Sequence, residues 1–126
     1  MVNQKPIVEV VKKFVVGFNR HDHEYLARLY TETADFVSVL GEHWTGMAEL
    51  KAEFRKIHTT FLKNSEMTTD KVRIKILSSN TAIVHHSWKV LNGHDEARSY
   101  KGIITHVLVE ADGRWKIESS HNSTIR

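Results

Sequence analysis

His86 and His121 are the side chains whose setting best suits chemistry, each lying in a strand-like run beside tryptophan. An imidazole changes charge near neutral pH and is tuned by burial or by a carboxylate partner, as general acid–base catalysis requires. Strict alternation through AIVHHSWKVL puts Ala82, Val84, His86, Trp88 and Val90 on one face, with His85 on the other beside Ile83 and Ser87. The same alternation through RWKIESSHNS carries Ser119 and His121 onto the face of Trp115 and Ile117. The catalytic set read from the sequence is His86 and His121 as base and acid, Asp35 to orient one of them, and Tyr30 as hydrogen-bond donor to a substrate oxygen. Trp88 and Trp44 would wall a lipophilic ligand, and Ser119, Thr105, Ser38 and Asn122 would supply polar contacts. Each has a plainer reading too, as core packing, a strand-end polar group or, for Asp35, a cap at the strand entrance. Asp22 reads first as a helix cap. His21, His23, His43, His58 and His94 read as loop or helix-surface residues, and His106 as an outward residue opposite Glu118.

No metal site emerges. His85 and His86 are adjacent in a strand and point to opposite faces, and His21 and His23 lie in a turn without a third ligand. Phosphate cradles of the GxxxxGK[ST] or GxGxxG type and serine-triad signatures are absent, so no cofactor is expected. With no cysteine there is no disulfide framework or thiolate chemistry. The net charge of +3, from 18 basic and 15 acidic residues, is dispersed in mixed sign. Lys71, Arg73 and Lys75 alternate on one strand face, read as solvated rather than as a nucleic-acid surface. No apolar run reaches the roughly 20 residues of a membrane span. Lys12 and Lys13 interrupt the first apolar stretch, which makes it a poor signal peptide, and a cytoplasmic location is the expectation.

Positioning these groups falls to one domain, residues 1–126. Pro6 opens an amphipathic helix to about Asn19, with Ile7, Val10, Val11, Phe14, Val15 and Phe18 at helical spacing. A short helix capped by Asp22 runs to Tyr30; ADFVSVLG follows as a strand with Phe36, Ser38 and Leu40 on one face. After a loop around Trp44, a third helix spans about Met47 to Leu62 and presents Leu50, Phe54, Ile57 and Phe61. From Val72 onward the period is two, with turns at Asn80, Asn92-Gly93 and Asp112-Gly113. A three-residue loop at Ala111–Gly113 would pair Glu110 with Arg114, Val109 with Trp115, Thr105 with Ser119 and Ile103 with His121. Helices followed by a meander of long strands define an α+β domain whose sheet must curl over the helices.

The element order resembles the nuclear transport factor 2-like superfamily. FNRHDHEYLARLYTETADFVSVLGEHWTGMAEL, Phe18 to Leu50, and DGRWKIESSHNS, Asp112 to Ser123, are similar to its SnoaL-like (SgcJ/EcaC-like) group. The resemblance implies a cone-shaped, strongly curved antiparallel or mixed sheet wrapped over three N-terminal helices, as in cystatin-like folds. It also implies a small-molecule pocket, in a superfamily of isomerases, dehydratases, cyclases, epoxide hydrolases and non-catalytic association domains. The steroid-isomerase pattern needs an inward carboxylate that the last strands lack, and the two-histidine pattern stands nearer a scytalone-type dehydratase. Two functions follow as expectations. One is an acid–base enzyme acting on a small lipophilic substrate; the other is a non-catalytic ligand-binding or dimerisation module. A homodimer through the outer sheet face, with Ile83, Ile104, His106 and Leu108, is expected under both.

Overall fold

The computed structural model describes residues 2–93 and 95–125, so His94 lies outside the described residues. Helix α1 (Lys5–Arg20) carries Pro6 in its first turn and buries Ile7, Val10, Val11, Phe14 and Phe18. It ends at His21, whose left-handed backbone (φ 53°) caps the helix. Helix α2 (His23–Ala27) starts where the Asp22 carboxylate accepts the Tyr25 backbone N–H at 3.0 Å. Strand β1 (Tyr30–Val37), strand β2 (His43–Thr45) and helix α3 (Met47–Thr59) follow. Four long strands complete the chain: β3 (Ser65–Ser78), β4 (Thr81–Asn92), β5 (Asp95–Ala111) and β6 (Arg114–Ile125).

The sheet order is β2-β1-β6-β5-β4-β3, with β1 and β6 parallel and the other neighbours antiparallel. This is the expected α+β architecture, with a curved, open sheet that the β1–β6 pairing makes mixed rather than a purely antiparallel meander. The three helices cover its inner face, and the core lies between, built on Tyr30, Leu50, Phe54, Val84, Ile104, Leu108 and Ile117. Tyr30 opens β1 rather than closing α2, and β1 stops before Ser38, which lies in the turn to β2.

The last hairpin departs from the expected register. Asp112 (φ 55°) and Gly113 (φ 78°) both take left-handed backbone, which makes a two-residue loop with Ala111 opposite Arg114 and Glu110 opposite Trp115. Its twist matches that of the flanking strands, and the Glu110 carboxylate accepts the Gly113 N–H at 2.7 Å, compensating the Glu–Trp pairing. A bulge then intervenes, since Leu108 pairs with Ile117 but Val107 pairs with Ser119. Glu118 is the extra residue, and its two carboxylate oxygens accept Thr31 Oγ1 at 2.9 Å and Thr33 Oγ1 at 3.0 Å from β1. One inserted residue exchanges the faces of everything beyond it. Ser120 therefore points inward and is buried, whereas His121 points outward and is exposed.

Candidate functional site

An aromatic-lined cavity of about 100 Å3 lies between the helices and the inner face of the sheet. Phe14, Phe18, Phe36, Trp44, Phe54 and Trp88 form much of its wall. Its polar lining comes from Ser38, Glu42, His58, Tyr100 and Asn122, and its rim carries the exposed side chains of Val39, Leu40 and Phe61. Trp44 stacks on Phe36 with centroids 5.1 Å apart, and the edge of Phe36 meets Phe54, so these walls brace one another. Trp88 Nε1 donates to Asn122 Oδ1 at 2.8 Å, fixing the amide of a residue that the bulge has turned inward.

The ten residues singled out from the sequence divide into three groups. Ser38, Trp44, Trp88 and Asn122 border the cavity. His86 and Tyr30 are wholly buried in the core outside its lining. His121, Asp35, Ser119 and Thr105 belong to the outer face. An inward His121 is thus corrected, and the two histidines cannot meet at one point because they lie on opposite sides of the sheet. Asp35 orients His43, not His86 or His121. Its carboxylate accepts Ser119 Oγ at 2.5 Å and His43 Nε2 at 2.7 Å, and these bonds hold its pKa below the usual carboxylate value. Thr105 bonds His85 across the outer face at 2.9 Å.

His106 is the opposite correction. It is fully buried, and Ile104 and Leu108 point inward with it, so none of the three serves the outer surface. Its Nδ1 lies 2.6 Å from Ser120 Oγ, which also shares a 2.9 Å hydrogen bond with Tyr30 Oη. Burial raises the Tyr30 pKa far beyond its ordinary value, so this hydroxyl stays protonated. His86 Nε2 lies 2.9 Å from Thr69 Oγ1. Burial lowers the pKa of His86 to about 4 and, with His86 beside it, that of His106 to about 3. Both rings are neutral at physiological pH. His86 Nδ1 and His106 Nε2 find no hydrogen-bond partner among the described residues. A bare ring nitrogen is cheaper to leave unpaired than an N–H, which assigns the proton to Nε2 of His86 and to Nδ1 of His106.

His58 departs from the helix-surface position that its sequence setting predicts. It is only 3% exposed and lines the cavity, with its ring 4.8 Å from Phe18 in an edge-to-face contact. Its Nδ1 lies 2.9 Å from Nδ1 of His21. Burial first, then the neighbouring His21 and His23, lowers its pKa to about 4. The signal was present, because Leu50, Phe54 and His58 recur every fourth residue along one stripe of α3. Among the described residues no cluster of three or more His, Cys, Asp or Glu is arranged to hold a metal ion. No described helix is long and apolar enough to cross a membrane.

The family model for the SnoaL-like domain matches residues 7–126, and the chain belongs to that family. No curated protein matches it. Among solved structures it is similar to a domain of unknown function with a cystatin-like fold from Nostoc punctiforme, at 21% identity and TM-score 0.88, covering 98% of this chain and 77% of that one. An NTF-2 like protein of unknown function from Shewanella oneidensis is 26% identical with TM-score 0.79, over 95% of this chain and 98% of that one. A Novosphingobium aromaticivorans protein named "Putative Scytalone Dehydratase" is 19% identical with TM-score 0.83, over 98% and 84% of the two chains. The fold is that of the nuclear transport factor 2-like superfamily.

Proposed function

We propose that this SnoaL-like domain takes a small lipophilic molecule into the cone and acts on it by proton transfer, in an isomerisation, dehydration or cyclisation. The observation that carries the reading is a neutral imidazole, His58, set in the wall of an otherwise aromatic cavity. A ring held neutral at pH 7 has a lone pair free to accept a proton, burial makes it a weak base unless the charge can pass onward, and aromatic walls favour an apolar molecule over water. The family and the likeness in fold to the named dehydratase support the class of reaction without choosing within it. Asn122, whose Oδ1 accepts from Trp88, would offer its Nδ2 hydrogens to a substrate oxygen.

The alternative, a non-catalytic ligand-binding or dimerising module, has one observation in its favour. The space of about 100 Å3 is smaller than the roughly 150 Å3 that encloses benzene, so Phe54 and Trp88 occupy much of the interior and a ligand of one or two rings must extend out between Val39, Leu40 and Phe61. Under either reading a homodimer would use the outer sheet face, where Ile103 is exposed and Val37, Ile83 and Val107 are half-buried.

The two are separated with 2-indanone, a compact apolar ketone with exchangeable α-protons. Binding is read by quenching of Trp44 and Trp88, and deuterium uptake from D2O by proton NMR. The wild type is expected to bind and to promote exchange. His58→Leu, similar in volume, should keep the affinity and lose about a hundredfold in exchange rate. Binding without any promotion of exchange would leave the module reading standing.

A further inference from the structure

We propose that His58 and His21 form a proton relay, carrying protons between the aromatic cavity and a solvent-facing groove at the C-terminal end of α1. The inference rests on the reading of the cavity as an acid–base site and adds a positioning residue, His21, that never touches the substrate. The two rings line different spaces. His58 borders the cavity, whereas half-buried His21 borders an open groove with Asn19, Asn64 and Glu66. Their Nδ1 atoms stand 2.9 Å apart, a hydrogen bond that requires one ring to donate and the other to accept.

The backbone holds this alignment from both sides. Asn19 clasps Met67 of β3 twice, donating from Nδ2 to the Met67 carbonyl at 2.9 Å and accepting the Met67 N–H at 2.7 Å. That fixes the end of α1 against the sheet just before the left-handed cap at His21, whose N–H donates to the Phe18 carbonyl at 3.0 Å. Phe18 in turn packs its ring against His58. With Nδ1 of His58 committed to His21, Nε2 is the ring nitrogen left for a molecule in the cavity.

The proton balance is simple. In the resting pair His58 carries its proton on Nδ1 and donates to Nδ1 of His21, whose own proton sits on Nε2. When Nε2 of His58 takes a proton from the substrate, its Nδ1 proton passes to Nδ1 of His21. His21 then releases its Nε2 proton to water in the groove. Both rings end neutral with their tautomers exchanged, and the reverse sequence delivers a proton to the substrate. The charged groups around the pair fit that direction of flow. His23 on α2, itself 3.7 Å from Glu24, adds to the repulsion that keeps charge off His58, while Glu66 lines the same groove as His21. Glu42 and Tyr100 face the cavity. An imidazolium confined among aromatic rings is expensive, so passing the charge outward removes the penalty that a solitary buried base would meet.

His21→Asn tests the relay, because asparagine tolerates left-handed backbone and preserves the helix cap. Exchange of 2-indanone α-protons in D2O is expected to fall about tenfold or more in this variant, with its affinity unchanged. Nitrogen NMR of the imidazoles should show the His58 proton on Nδ1 in the wild type and shifted toward Nε2 in His21→Asn. An exchange rate that His21→Asn leaves unaltered overturns the relay alone. A wild type that binds 2-indanone without promoting exchange overturns the acid–base reading and the relay together.

Discussion

Acidification from pH 7 to pH 5 is expected to remove about 6 kcal/mol of folding stability, comparable to the whole stability of a small domain, about 5–15 kcal/mol. Three buried histidines carry the effect. His58 and His86 have folded pKa values of about 4 and His106 of about 3, against the ordinary 6.5 of an unfolded chain. A histidine with a depressed folded pKa binds its proton more tightly when unfolded, so stability is complete above pH 6.5 and declines as the pH falls below it. The decline continues until the folded rings themselves titrate, near pH 4 and then pH 3. At pH 5 each ring forfeits about 2 kcal/mol, roughly 1.36 kcal/mol for each pH unit below the unfolded value. Asp35 acts in a lower window, because its depressed pKa withdraws stability only as pH falls through the carboxylate range. Urea titrations at pH 7.5, 6.5, 5.5 and 5.0, followed by tryptophan fluorescence, measure the slope. A midpoint that stays constant across that series would show that the three rings bind protons as readily in the folded state as in the unfolded chain.

The same three histidines mark how far the sequence could be read. Helical spacing in α1, period-two alternation in β3 to β6 and the Asp-Gly turn were legible, because each is a local pattern with a local cause. The orientation of His86 followed from the unbroken alternation of β4. The positions of His106 and His121 did not: His106 turns inward because the loop has two residues rather than three, which pairs Leu108 with Ile117, and His121 turns outward because of a single extra residue, Glu118, in β6. Nothing in ESSHNS marks a bulge. What stabilises it is the pair of threonine hydroxyls at Thr31 and Thr33, on a strand more than 80 residues away. A parallel contact between β1 and β6 is non-local, and it decided which half of the polar tail faces the core. His58 failed for a different reason, since a helix-borne histidine reads as surface unless its place on the apolar stripe is weighed above its polarity. The cavity walls were partly legible, with Trp44, Trp88, Ser38 and Asn122 all named. The imidazole among them was not.

Gly102→Ala should be the most disruptive single-methyl change in the sheet, with an expected loss of about 3 kcal/mol. Gly102 is buried on the inner face of β5, opposite Trp88 on β4 and Thr124 on β6. A Cβ at this position would stand 2.5 Å from Trp88 Cζ2 and press still closer on the Ser123 carbonyl oxygen. The carbonyl belongs to the β6 backbone, so it can yield only by displacing the end of that strand from β5. The indole can yield by turning, but its Nε1 then leaves Asn122 Oδ1 and the far wall of the cavity loses its brace. Either response couples folding to the site, because Trp88 and Asn122 are both wall residues. The variant should therefore show a lower urea midpoint together with red-shifted Trp88 emission and weakened binding of 2-indanone. Stability within about 0.5 kcal/mol of the wild type, the ordinary range for a surface substitution, would mean that β5 and β6 are farther apart at Ser123 than the structure places them.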